Sequence, residues 1–307
     1  MTPPRSIWWL VSGTILVAVL APTSLPLAGL TYAGLQLAGG TRSGSARAAA
    51  LLVGVLGLAA LVLPRESAGD GVVGVFQLFT AVAFVAAAWA TPGPFLRRAT
   101  GALVWGSVGA IALAWLVNGA QTWGLLAWDT LRHVSFAQRS VLEVMEPEAL
   151  ATVYAMYEPV VRFLSTARPA LEILGAYAAL AAVWQWHVRT ARSPLGPALR
   201  PFREFRIADG AVWGVVAATA VWVVSAKLPG LRITAVNAEL VLGALYLLRG
   251  AAVVGSLAAV VAIPAWVQAM AVVSGVLFAA VTAPGLWLLG VSDTWLEFRR
   301  RLEGRPN

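Results

Sequence analysis

Apolar runs of about 17 to 25 residues recur from one end of the chain to the other, and each is the length that takes an α-helix across a bilayer. No other feature narrows the fold as much. Charge is sparse to match. Of the 307 residues, 12% are charged and 59% hydrophobic, where a soluble domain carries about 25% charge. Glycine lies inside the runs, as in membrane helices, which pack through small residues. The short alternating strands of a β-barrel are not found. The expected fold is therefore all-α: a polytopic transmembrane bundle of about eight spans, forming a single membrane domain over 1–307.

The runs place spans at 7–21, 25–38, 48–63, 72–90, 99–117, 169–186, 211–225, 235–261 and 265–289. Pro22 and Pro26 break the first apolar stretch, because proline removes a backbone donor and clashes with the preceding turn. The 25–38 element is short, and both a half-span and a full span remain open. The segment after Arg5 resembles a signal peptide, but Pro22 follows Ala21 and no small-x-small cleavage site leads to a polar mature start. It reads as a retained first helix.

The interval 118–168 is the long polar stretch. Leu150, Val153, Tyr154, Tyr157, Val161 and Leu164 recur in it at helical spacing, which makes it an extramembrane amphipathic insert whose helices lie at the interface. The segment 292–307 reads as an interfacial tail. Thr294 and Glu297 fit a helix-starting capping box, and Trp295, Phe298 and Leu302 share a face.

The net charge is +8, and Lys227 is the one lysine among the cations. These charges sit in short connections, where they set topology; a nucleic-acid partner is not expected. With the N-terminus cytoplasmic and both early elements spanning, Arg42, Arg47, Arg97, Arg98 and the basic connection 189–206 fall inside, as the positive-inside rule asks. Lys227 and Arg232 fall outside. The exception is Arg299–Arg301, which three intervening spans would put outside. Either the tail breaks the rule or a late segment fails to cross, with Pro284-Gly285 as the candidate break. The expected location is a bacterial inner (cytoplasmic) membrane, with the lipid bilayer as the first partner. There is no Cys, so disulfides and thiolate metal sites are excluded.

Catalytic signatures are missing: no Walker-type loop, HExxH or GxSxG motif. His133 and His187 are distant in sequence, and Glu143, Glu146 and Glu148 crowd beside Pro147 as a solvated turn would. No enzymatic activity, cofactor or metal is expected. The informative residues are polar groups inside apolar runs, where an ionisable side chain costs about 2.5–3.5 kcal/mol at a helix centre. Arg249 and Glu239 share the 235–261 helix, about 15 Å apart along it and rotated by about 80°. They cannot pair with each other, and Glu172 is a candidate partner for the cation. Glu239, Gly243, Tyr246 and Gly250 form one stripe. Arg249, Glu239, Asn237 and Tyr246 are thus the candidate ligand-binding residues of a polar cavity. The competing reading leaves Asn237 and Glu239 wetted at a helix entrance and Arg249 either snorkelling or bridging helices. Gln77 points the same way within 72–90. Trp8, Trp9, Trp123, Trp128, Trp184, Trp186 and Trp295 lie at segment ends, as an aromatic belt would. Small-residue pairs such as Gly106 and Ala110, or Gly175 and Ala179, allow close helix contact.

Three stretches carry a family resemblance. Phe202-Arg203-Glu204-Phe205-Arg206-Ile207-Ala208-Asp209-Gly210-Ala211-Val212-Trp213 resembles the aromatic-Arg helix start of the YybS-like family of uncharacterised bacterial membrane proteins. The stretch from Asn237 through Leu245-Tyr246-Leu247-Leu248-Arg249-Gly250 and the run Gly290 to Arg301 resemble that family's ending. At Arg249 the family often has a neutral amide, and it has a basic loop where this chain has Ala262-Ile263-Pro264. The family is distantly similar in architecture to the substrate-binding S components of energy-coupling-factor transporters. That resemblance implies a small-molecule-binding transport subunit with no ATPase of its own. The alternative is a non-transporting membrane scaffold that binds another membrane protein.

Overall fold

The structure, a computed structural model, describes residues 25–40, 68–90, 93–122, 124, 147–225 and 227–299. Among them are eight α-helices and no β-strand, the all-α architecture expected from the apolar runs. The expected spans 7–21 and 48–63, most of the segment 123–146 and the tail beyond 299 lie outside the described residues. The chain divides into two compact units, Met1–Leu199 and Arg200–Asn307.

The first unit contains α1 (Leu25–Gly39), α2 (Ala68–Ala90), α3 (Phe95–Asn118) and α4 (Pro147–Thr190). Helix α2 packs on α1 and α3, and α4 packs on α1 and α3. Leu27, Leu35, Phe76, Phe84, Leu180 and Trp184 form the buried core. Gly106 and Ala110 are buried too, and a Cβ at Gly106 would fall on the Thr80 hydroxyl. The small-residue face of α3 thus lets α2 approach. Trp89, Trp105, Trp115 and Val117 are exposed, as side chains facing lipid would be. Trp184 departs from the expected belt. It is fully buried, edge-on to Phe84, and its indole N–H donates to the Pro197 carbonyl at 3.0 Å.

The expected start of a span at Pro169 is not an element boundary. Helix α4 runs 44 residues with Pro159 and Pro169 inside it. The amphipathic stretch around 150–164 and the 169–186 run are therefore one rod. A proline keeps a helical φ and forfeits one hydrogen bond, and neighbouring helices hold such sites in membrane proteins.

The second unit contains α5 (Ala211–Val224), α6 (Pro229–Val260), α7 (Ala265–Leu277) and α8 (Ala279–Leu296). Helix α6 is its axis, packed by α5, α8 and the 3₁₀ turn Phe202–Glu204. Pro229 stands at the first turn of α6, where its missing N–H costs nothing. Asn237 and Glu239 consequently lie two turns or more inside the helix, and Asn237 is buried. The last apolar run is broken, but at Phe278 instead of Pro284-Gly285, and α7 and α8 meet at a 110° bend. Pro284 is accommodated inside α8. The expected capping box is also displaced: Thr294 lies inside α8, and Glu297 is its C-cap in a left-handed conformation.

Three described helices are long and apolar enough to cross a bilayer: Gly71–Ala90, Phe95–Asn118 and Gly230–Val260, with the bent pair as a fourth if it counts as one span. The bent pair comes back to the end of the unit it left. Ser256, one turn before the end of α6, donates to the Arg203 carbonyl at 3.0 Å. Arg299, just beyond α8, donates to the same carbonyl at 3.2 Å. The turn at Arg203, the end of α6 and Arg299 therefore share one end of the unit.

Candidate functional site

The polar residue most costly to bury in lipid, Arg249, stands two-thirds of the way along α6 and is 2% exposed. Its guanidinium is held by the chain itself. Nε donates to Asp293 Oδ2 at 3.0 Å, Nη2 to the Asp293 backbone carbonyl at 3.1 Å, and Nη1 to Asp209 Oδ1 at 3.1 Å. Asp293 is 1% exposed. Its Oδ2 accepts a second guanidinium, Arg299 Nη2, at 2.9 Å. Arg299 is buried as well, and its Nη1 reaches the Phe205 carbonyl at 2.8 Å. The result is an Arg–Asp–Arg cluster closed by Asp209, whose side chain is 69% exposed. Two buried cations on one buried anion need that outer carboxylate for balance. The desolvation of such groups is offset only when the geometry is good and the remaining donors are satisfied.

Local packing explains why the charges meet here. A Cβ at Gly250 would fall on the Leu286 carbonyl, and one at Gly290 on the Tyr246 carbonyl. Helices α6 and α8 thus touch backbone to backbone, which only glycine permits. Arg249 is the neighbour of one glycine, and Asp293 lies three residues beyond the other. The close crossing sets the register in which their side chains pair.

Not every polar atom in the cluster is satisfied. Asp293 Oδ1 and Arg299 Nε are buried without a hydrogen bond. Each buried polar group left so costs about 1–3 kcal/mol. The Tyr246 and Thr294 hydroxyls lie beside each other. Together they present an acceptor, a donor and two hydroxyls that can do either.

Of the four residues singled out from sequence, Arg249 and Tyr246 belong to this cluster. Asn237 and Glu239 sit about 15–18 Å further along α6. Asn237 Nδ2 donates to the Ile233 carbonyl of its own helix at 2.8 Å. Glu239 is half-buried and accepts from Thr219 of α5. The carboxylates that meet Arg249 are Asp293 and Asp209, in place of Glu172. Sequence reasoning missed Asp293 and Arg299, because both fell in a segment read as an interfacial tail. The available signal was Asp293 itself, an acid one turn beyond an apolar run.

The first unit holds a second buried polar group. His187, at the end of α4, is fully buried, although Arg189 stands two residues beyond it. Its Nε2 accepts from the Leu195 amide at 3.3 Å, and burial pushes the imidazole down from 6.5 to about 4. Gly39 lies against its ring. Arg98 lies over the Trp184 ring at 5.2 Å. Among the described residues, no group of three His, Asp or Glu side chains could hold a metal ion.

A family model described as a predicted membrane protein (DUF2232) matches residues 99–294. The match includes Asp209, Tyr246, Arg249, Asp293 and Thr294 and ends before Arg299. No curated protein and no solved structure matches the chain.

Proposed function

The chain belongs to the DUF2232 family of predicted membrane proteins, and from that premise we propose that it is a small-molecule-binding, non-enzymatic subunit of a transport system. It sits in the bacterial inner membrane as a multi-pass protein, much as an S component does. The observation that carries the reading is the pair of buried polar atoms without a partner, Asp293 Oδ1 and Arg299 Nε, with the mutually paired Tyr246 and Thr294 hydroxyls in the same cluster. Ionisable groups at membrane depth mark functional sites by default, and polar atoms that lack partners are completed by a bound molecule. Arg249 orients Asp293 in this reading, and the ligand meets Asp293, Tyr246 and Thr294. Asn237 and Glu239 lie further along α6 and serve an access route at most.

The second reading is a non-transporting scaffold. The observation in its favour is that Nε, Nη1 and Nη2 of Arg249 all donate within the chain, as in a structural latch. Native mass spectrometry of the detergent-purified chain separates the two. A small molecule bound at one copy per chain, and lost on Tyr246→Phe with Thr294→Val, supports ligand capture. A stoichiometric protein partner with no small molecule supports the scaffold.

A further inference from the structure

The segment Arg200–Arg206 is exposed, basic and firmly held from behind, and it lies outside the buried cluster. Arg200, Arg203 and Arg206 are exposed, with Glu204 the one acid among them. Phe202 is 49% exposed and stacks on Phe205, centroids 6.3 Å apart and planes 20° from parallel. The backbone is anchored from the protein side. Arg299 binds the carbonyls of Arg203 and Phe205, Ser256 binds that of Arg203, and Ile207 is buried. The arginine side chains play no part in that anchoring, since only carbonyls are held.

The anchoring also fixes the depth. Ser256 is four residues before the end of α6, so the turn sits within about 6 Å of the helix end. That is the headgroup level of a helix that spans. By the distribution of loop cations this end is the cytoplasmic one, where anionic lipids attract basic side chains by about fivefold in affinity for each Lys or Arg near the surface.

We propose that Arg200, Arg203 and Arg206 form a preformed site for the phosphate of an anionic phospholipid headgroup, with Phe202 inserted at the acyl boundary. Guanidinium forks match phosphate oxygens in pairs. A stacked aromatic pair supplies an apolar body at the interface. The occupant is the surrounding leaflet, because the platform stands at the end of an apolar, bilayer-long helix and carries three arginines against one glutamate.

The test uses the full chain in detergent, with dioleoyl phosphatidylglycerol and dioleoyl phosphatidylcholine in equimolar competition, read by native mass spectrometry. The expected result is preferential retention of phosphatidylglycerol, reduced about fivefold for each arginine replaced in R200Q, R203Q and R206Q. Arg162→Gln, which removes an exposed arginine bonded to Glu158 on α4, leaves the preference unchanged. Should the triple variant fail to fold, the single variants and the charge-keeping triple lysine variant carry the same comparison. Wild-type preference in folded Gln variants overturns the proposal. So does equal retention of the two lipids, or displacement of phosphatidylglycerol by millimolar glycerol phosphate, which would mark a site for free phosphate. None of these outcomes depends on a ligand at Asp293.

Discussion

Asp293 carries two guanidiniums on a single oxygen, so Asp293→Asn leaves Arg249 and Arg299 buried with only the exposed Asp209 as counter-charge. Breaking a buried pair from one side costs about 3–5 kcal/mol. The expected outcome is a fall of about 10 °C in the detergent melting temperature, read by intrinsic tryptophan fluorescence. Arg249→Lys should also destabilise, because one ammonium cannot reproduce a planar fork that reaches Asp293 Oδ2, the Asp293 carbonyl and Asp209 together. His187 gives a pH dependence of definite sign. Its folded value, about 4, lies below the ordinary 6.5, so the unfolded chain takes up the proton first on acidification. Stability should be full above pH 6.5 and decline as pH falls toward 4, by on the order of 2–3 kcal/mol. His187→Gln should flatten that decline in melting temperature against pH.

Helix α6 owes its place to the crossing with α8, where two backbones meet at Gly250 and Gly290. Gly250→Ala and Gly290→Ala should each force the helices apart and weaken the Arg249–Asp293 pair, with losses at the upper end of single-residue effects, about 3 kcal/mol or more. Gly255 on the same helix has open space at its Cβ position. Gly255→Ala should be neutral or slightly stabilising, because alanine favours a helix by up to about 1 kcal/mol. Opposite shifts of melting temperature at 250 and 255 check the crossing directly; equal shifts would contradict it. The stripe Glu239, Gly243, Tyr246, Gly250 was legible from helical spacing alone. Its two ends nevertheless meet different partners: α5 through Thr219, and α8 through Gly290.

At the scale of the molecule, the bent pair α7–α8 returns to the end it left, and this places Arg299 beside the turn at Arg203. The absence of cysteine makes the arrangement simple to test with single cysteines. Arg206→Cys and Arg301→Cys should react with a membrane-impermeant maleimide from the same side, and Lys227→Cys from the other. Labelling of 206 and 301 from opposite sides would mean that α7–α8 crosses completely. The positive-inside exception raised by Arg299–Arg301 disappears when the pair re-enters. The sequence alone could not decide this, because a 25-residue apolar run looks alike whether straight or bent.

Hydropathy and charge distribution determined by themselves that the chain is helical, that lipid surrounds much of it, and that Arg249 cannot pair with Glu239 and needs a partner elsewhere. Lipid cannot satisfy a backbone or a cation, so these requirements are local and can be read from one segment at a time. Which carboxylate answers Arg249, where the last run bends, and why His187 and Trp184 are buried depended on tertiary structure. Each of those is a contact between residues far apart in the chain, set by how closely glycine backbones approach and by which carbonyls are left for a guanidinium.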